Sequence, residues 1–325
     1  MIETIITTNK ANPMVDPVMH IWGWPVALYL FLGGLTAGLM VLAGWLALKE
    51  RGREKFPAIF RIFPLAPLFI SAGMLLLFVD LDYKVHVWRF FTAFRPTSPM
   101  SWGSWILLLV YPASILFILA TLRGSFPRFV AFLEKGGLPG RTWGALAPVV
   151  AFAQSHVRLW ARAVIGCGVL LGMYTGILLG SLAARPFWNS PLLPPLFLVS
   201  GISVALALVA LFSARGEESR FYLRLDMGLV TAEVTLLLIF VIGLLSSSQA
   251  QVQSATLILG GPYSAPFWVL VVGMGLALPL LLEFLELRGM DVPAFLASAL
   301  VILGGLALRF VLLAAGQAST WPGRY

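Results

Sequence analysis

Eight apolar runs of near twenty residues divide this chain, at roughly 22–48, 62–79, 102–122, 159–182, 193–212, 228–245, 267–285 and 292–314. Each is long enough to carry a helix across about 30 Å of hydrocarbon. Runs of this kind have nowhere to bury themselves in water. With 59% of residues hydrophobic and 11% charged, the polar side chains are too few to coat a soluble body. The fold class is therefore read as all-α integral membrane, an eight-transmembrane-helix bundle that forms a single domain over 1–325. An even number of spans puts both termini on one side. The opening twenty residues carry one lysine and no apolar core, so they do not read as a cleavable signal, and the first span directs insertion.

A further apolar run, Trp143 to Ala153, is short, contains Pro148 and gives way to Gln154, Ser155 and His156. It is expected to lie in the interface rather than to cross. Basic residues then choose the orientation, because Lys and Arg are retained in the cytoplasm more than they are translocated. Six of the 22 fall on the terminal side: Lys10, Lys84, Arg89, Arg95, Arg185 and Arg324. Fourteen fall on the opposite side, from Lys49 to Arg288, which places both termini outside. The net charge of +8 thus reflects membrane orientation and contact with anionic lipid, and calls for no nucleic acid.

Polar groups held at membrane depth are costly unless paired or hydrated, so they mark candidate sites. Tyr29 lies about 10 Å inward from the start of the first span, and Tyr174 about 12 Å from the same face in the fourth. Two phenols at matching depth can frame one pocket; tyrosines near helix ends also populate interfacial belts. Beyond Tyr174 the sequence makes a tight connection with Arg185, Trp188 and Asn189, which reads as a polar and aromatic cap, before Pro194 and Pro195 open the fifth span. Asp80, Asp82 and His86 close the second span, and Arg309 lies in the outer third of the eighth. Carboxylate, imidazole and guanidinium together suit proton exchange beside a ligand, although loop-end Asp and His also occur merely solvated.

Toward the other face, Arg162 and Glu233 are placed to form an ion pair, with Asp226, Glu283 and Glu286 at helix ends. Such a pair serves structure, or lines a proton path with Arg309 and Asp226. None of the three histidines, His20, His86 and His156, falls inside a span, so a haem held between facing helices has no ligands. The single cysteine, Cys167, excludes an internal disulfide and holds no iron–sulfur cluster alone. No zinc spacing or phosphate-cradling glycine loop occurs, so no metal site is expected. Redox work, if any, falls to a bound organic ligand.

Five stretches carry a resemblance to a known family: WGWPVALYLFLGGLTAG at 22–38, RPTSPMSWGSWIL at 95–107, YTGILL with PFWNSPLLPPLFLVSGIS between 174 and 203, DMGLVTAE at 226–233 and LALRFVLLAAGQ at 306–317. In their order and spacing these stretches resemble the NrfD or PsrC family, the membrane subunits of polysulfide reductase and formate-dependent nitrite reductase systems. The resemblance runs from the first span to the last.

It implies a quinone or quinol site near the outer face, taking exchangeable menaquinone or ubiquinone. It implies electron exchange with a periplasmic four-cluster ferredoxin-like iron–sulfur subunit and a catalytic subunit, either a molybdopterin enzyme or a multihaem cytochrome c. The location implied is the bacterial or archaeal cytoplasmic (inner) membrane, with both termini periplasmic. The family's quinone-contacting tyrosine falls on Tyr174. The first-helix contact falls on Tyr29, where the polysulfide-reductase branch has histidine, and Val26 stands where that branch has asparagine. The head-group hydrogen bonds therefore differ, and His20 or His86 is a candidate for the missing partner.

In this reading Tyr174 bonds one quinol oxygen, Asp80 or His86 exchanges protons, and Trp24 and Trp102 pack on the ring or tail, unless they are simply core residues. The cluster of the partner docks against the loop 82–100 and the connection 183–190. Two other classes stay open: a proton-translocating module using Glu233 and Arg162, and a passive anchor for a periplasmic enzyme.

Overall fold

All eight apolar runs are helical in the computed structural model, which describes residues 22–81, 83–133, 140–213, 216–290 and 293–321. Among these, the helices long and apolar enough to cross a membrane are Trp24–Leu48, Pro57–Val79, Pro99–Ser125, Val157–Gly180, Leu193–Leu211, Glu217–Leu245, Pro266–Leu287 and Phe295–Ala318. They are called the first to eighth spans. No strand occurs among the described residues, and the protein is a multi-pass integral membrane bundle. Several spans start with proline in their first turn, where the missing N–H costs nothing, as at Pro25, Pro57, Pro99 and Pro194.

The first span is the axis of the bundle. It packs against the second, fourth, fifth and eighth, and most of it is buried, whereas the second, sixth and seventh spans keep most of their apolar surface outward. Outward apolar faces are what lipid solvates. Small residues let the backbones meet. A Cβ on Gly201 of the fifth span would stand 2.5 Å from the carbonyl oxygen of Gly34 in the first, so this crossing admits only glycine. The seventh and eighth spans approach in the same way at Gly275 and Gly304. By contrast the second and third spans touch sparingly.

Two departures from the sequence expectations bear on the site. The second span starts at Pro57 and passes through a tight turn at Phe63–Leu65, built on Pro64, before resuming as Ala66–Val79. The sixth span begins at Glu217, far ahead of the apolar run, so Asp226 lies well inside a helix and is buried rather than sitting at a helix end. The run at 143–153 belongs to the helix Gly140–Ser155, which packs along the third span. At 1.5 Å per residue its sixteen residues reach about 24 Å.

The two ends of the described region are tied together. The Gln317 amide donates to the Trp22 carbonyl at 2.8 Å, and its oxygen accepts the Trp22 N–H at 2.9 Å. Arg185, expected to cap a ligand, donates instead to the carbonyls of Gln317 and Ser319 at 2.8 and 2.9 Å, closing the C-terminal end of the eighth span. Trp188 is fully buried; its indole N–H donates to the Leu312 carbonyl at 2.8 Å, and its ring stacks on Trp22 with centroids 5.5 Å apart. Gly316 makes room for that indole, since a Cβ there would fall on the ring. Gly316→Ala is therefore expected to cost about 1–3 kcal/mol, read as a lowered Tm of the purified protein; an unchanged Tm would mean the indole has space to move.

Candidate functional site

The first and fourth spans run antiparallel, and the helical rise brings Tyr29 and Tyr174 to one depth, near the end where the described region starts and stops. Each phenol lies against a glycine of a neighbouring span. A Cβ on Gly73 would stand 3.3 Å from the Tyr29 ring, and one on Gly103 would collide with the Tyr174 hydroxyl. Glycine at 103 is thus what lets Tyr174 occupy its place.

Both phenols line one cavity of about 460 Å³. Its walls are mostly apolar and come from the first, second, third and fourth spans, with Trp22, Asp80 and Ser104 among them. It sits where the second and third spans separate, with Leu77, Phe78 and Leu81 on one side and Met100 and Leu107 on the other. Tyr29 and Tyr174 are each only 5% exposed, yet neither hydroxyl has a hydrogen-bond partner among the described residues. Two phenol oxygens facing an apolar space are donors and acceptors held ready for a ligand. Ser104 differs, because its hydroxyl donates to the Ser101 carbonyl at 2.8 Å.

The remaining sequence candidates are distributed as follows. Asp80 is exposed and lines the cavity rim. His86 lines an adjoining surface cleft that shares Phe90 and Met100 with the cavity. Trp24 is 60% exposed and faces a separate groove beside Tyr263 and Phe310; Trp22, two residues earlier, is the indole that borders the cavity. Trp102 is 40% exposed and donates to the Pro96 carbonyl at 2.7 Å, away from the cavity lining. Asn189 is exposed, with its carbonyl accepting from Gln251 at 2.8 Å. His20 and Asp82 lie outside the described residues.

A second polar set occupies the interior between the fifth, sixth, seventh and eighth spans. Arg309 is 2% exposed, donates to the Ser200 hydroxyl at 3.1 Å and to the Phe197 carbonyl at 3.0 Å, and lies over the Phe197 ring. The Glu233 carboxylate faces it, with Ser200 beside both. The expected pairing of Glu233 with Arg162 is not made: Arg162 is exposed on the fourth span, on the far side of the first and fifth from the sixth. Arg309, expected near Asp80 and His86, turns inward to Glu233 instead.

Deeper along the sixth span, Asp226 accepts from Ser203 at 2.7 Å, and the buried carboxyl of Glu283 in the seventh span lies beside it. Sequence reasoning misses Ser200 and Ser203. Their separation by three residues puts both on one helix face, which is the signal that could have found them.

Comparison with known proteins gives a consistent answer. The model of the family described as polysulphide reductase, NrfD, matches residues 9–320. The protein is 35% identical to the C chain of polysulfide reductase from Wolinella succinogenes, with 91% of this sequence and 94% of that one aligned. It is 33% identical to protein NrfD of Escherichia coli, over 91% of this sequence and 95% of the other. The C subunit of selenate reductase from Mesobacillus selenatarsenatis is 26% identical, over 90% of this sequence and 73% of its own.

Proposed function

The chain belongs to the polysulphide reductase NrfD family, and we propose from that premise that it is the quinone- and quinol-binding membrane subunit of a respiratory reductase complex. Its relatives are named as component chains and membrane subunits of polysulfide, selenate and dimethyl sulfoxide reductases, so the terminal catalytic site belongs to a separate subunit. The observation that carries the reading is the pair of unpartnered phenol hydroxyls in an apolar cavity at the seam between the second and third spans.

A quinol gives up two electrons and two protons when oxidised, so its site needs hydrogen-bonding groups for the ring oxygens and a proton acceptor close by. Tyr174 and Tyr29 hold the ring oxygens by their hydroxyls. Asp80, at the rim and in reach of solvent, accepts the protons. The Trp22 indole provides a flat wall. Menaquinol or ubiquinol is the exchangeable reactant, supplying the electron pair and leaving as the quinone. Those electrons leave to a periplasmic four-cluster iron–sulfur subunit resting on the segment 83–98 and the connection 183–190. The protein sits in the bacterial or archaeal inner membrane with both termini periplasmic, following the excess of basic residues on the opposite face.

A second reading is favoured by the buried set of Asp226, Glu283, Ser203, Ser200, Glu233 and Arg309. Charged and hydroxyl groups spaced along the bundle interior at membrane depth suit proton conduction, and this would add charge movement to the same quinol reaction.

The test of the main reading is the affinity of a fluorescent hydroxyquinoline N-oxide for the purified complex. Tyr174→Phe removes one hydrogen bond of about 0.5–1.5 kcal/mol, so the affinity should fall about two- to tenfold. Unchanged affinity would take Tyr174 out of the site. A native complex that binds no probe would leave the protein as an anchor.

A further inference from the structure

The cleft beside the cavity is basic, and apart from His86 its residues have entered only as part of the segment 83–98 on which the partner subunit rests. It encloses about 240 Å³ and is lined by His86, Arg89, Arg95 and Ser98, with Phe90 and Met100 as the wall it shares with the cavity. No acidic side chain lines it, and no ion pair to either arginine occurs among the described residues. Its depth is fixed by the third span: the cleft residues end at Ser101, just where the apolar run begins at Trp102. Side chains one turn ahead of a span stand at the level of lipid headgroups. Trp88, Phe94 and Trp105 are exposed around it, as interfacial aromatics are.

Below the cleft the loosely packed second and third spans leave an apolar seam, flanked by exposed Leu75 and Val79 on one side and Trp105 and Leu108 on the other. Two guanidiniums at headgroup level above an apolar seam match one molecule in both its parts. We propose that this cleft seats the phosphodiester headgroup of an anionic phospholipid, whose acyl tails lie along the exposed outer edge of the seam between the second and third spans, outside the cavity. A soluble anion would use the arginines and leave the seam uncovered; a protein carboxylate would not explain the apolar strip running below.

The experiment places the full complex in nanodiscs of phosphatidylglycerol and phosphatidylcholine mixed equally and measures the lipids retained after detergent transfer by native mass spectrometry. The native protein should retain phosphatidylglycerol in preference, and Arg89→Gln with Arg95→Gln should reduce that preference by roughly thirtyfold, the factor for two guanidiniums near a charged surface. Lysine at both positions should keep it, which separates lost charge from lost folding. Equal retention of the two lipids by the native protein, or a preference that survives the glutamine pair, would overturn the proposal. So would displacement of the lipid by millimolar inorganic phosphate, which marks a free-anion site. Loss of partner subunits from the glutamine variant with its lipid preference intact would assign the cleft to protein contact instead. None of these readouts depends on quinol binding.

Discussion

Arg309→Met is expected to destabilise the bundle by about 3–5 kcal/mol, because it leaves Glu233 buried without the cation that faces it. The guanidinium also donates to the buried Ser200 hydroxyl and to the Phe197 carbonyl, and both acceptors would lose that donor in the bundle interior. A loss of that size is comparable with the whole stability of many domains. It should appear as poor accumulation in the membrane and a sharply lowered Tm. Combining Arg309→Met with Glu233→Gln removes both charges together and should recover much of the loss, since a buried ion pair is worth little over a neutral replacement. If the double variant is as unstable as the two losses added, the contacts with Ser200 and Phe197 carry the energy and the pairing does not.

Gly103→Leu should abolish probe binding, with an affinity loss on the order of a hundredfold or more, beyond that of Tyr174→Phe. The first side-chain carbon would occupy the place of the Tyr174 hydroxyl, so the phenol must swing away or the third span must shift. Either change removes the oxygen, and the rest of the leucine fills the cavity; overpacking of this kind costs about 1–3 kcal/mol in a tight site. Gly166→Ala is the matched control, because a Cβ there meets nothing within 4 Å. It should leave binding unchanged and raise helix stability by roughly 0.5–1 kcal/mol. Retained affinity in Gly103→Leu would mean that the probe sits elsewhere.

The spans and the two phenols are legible in the sequence because both depend on distance along a helix axis. Hydropathy marks the crossings, and the rise per residue sets Tyr29 and Tyr174 at one depth. What stays hidden depends on rotation about that axis. The first helix starts only at Trp24 and Gly23 ahead of it is extended, so Trp22 borders the cavity and Trp24 looks outward, although their depths are nearly equal. Arg162 and Glu233 have compatible depths but lie on spans that the first and fifth keep apart, and Arg309, expected beside the cavity, points to the sixth span. Trp188 is hidden for a different reason. Its connection folds under the last span, a tertiary choice that no local pattern records, and what reads as a lid over a ligand is a brace behind Trp22.

The clasp between Trp22 and Gln317 also orders events in time. A ribosome delivers the indole just ahead of the first span and its clasping amide near the end of the eighth. Until the final span is in the lipid, Trp22 has neither its backbone partner nor the braced Trp188 behind it, and the cavity lacks a finished wall. The cavity is therefore completed only once the eighth span is in place, and a polypeptide stopped short of that span holds the two tyrosines without the chamber they share.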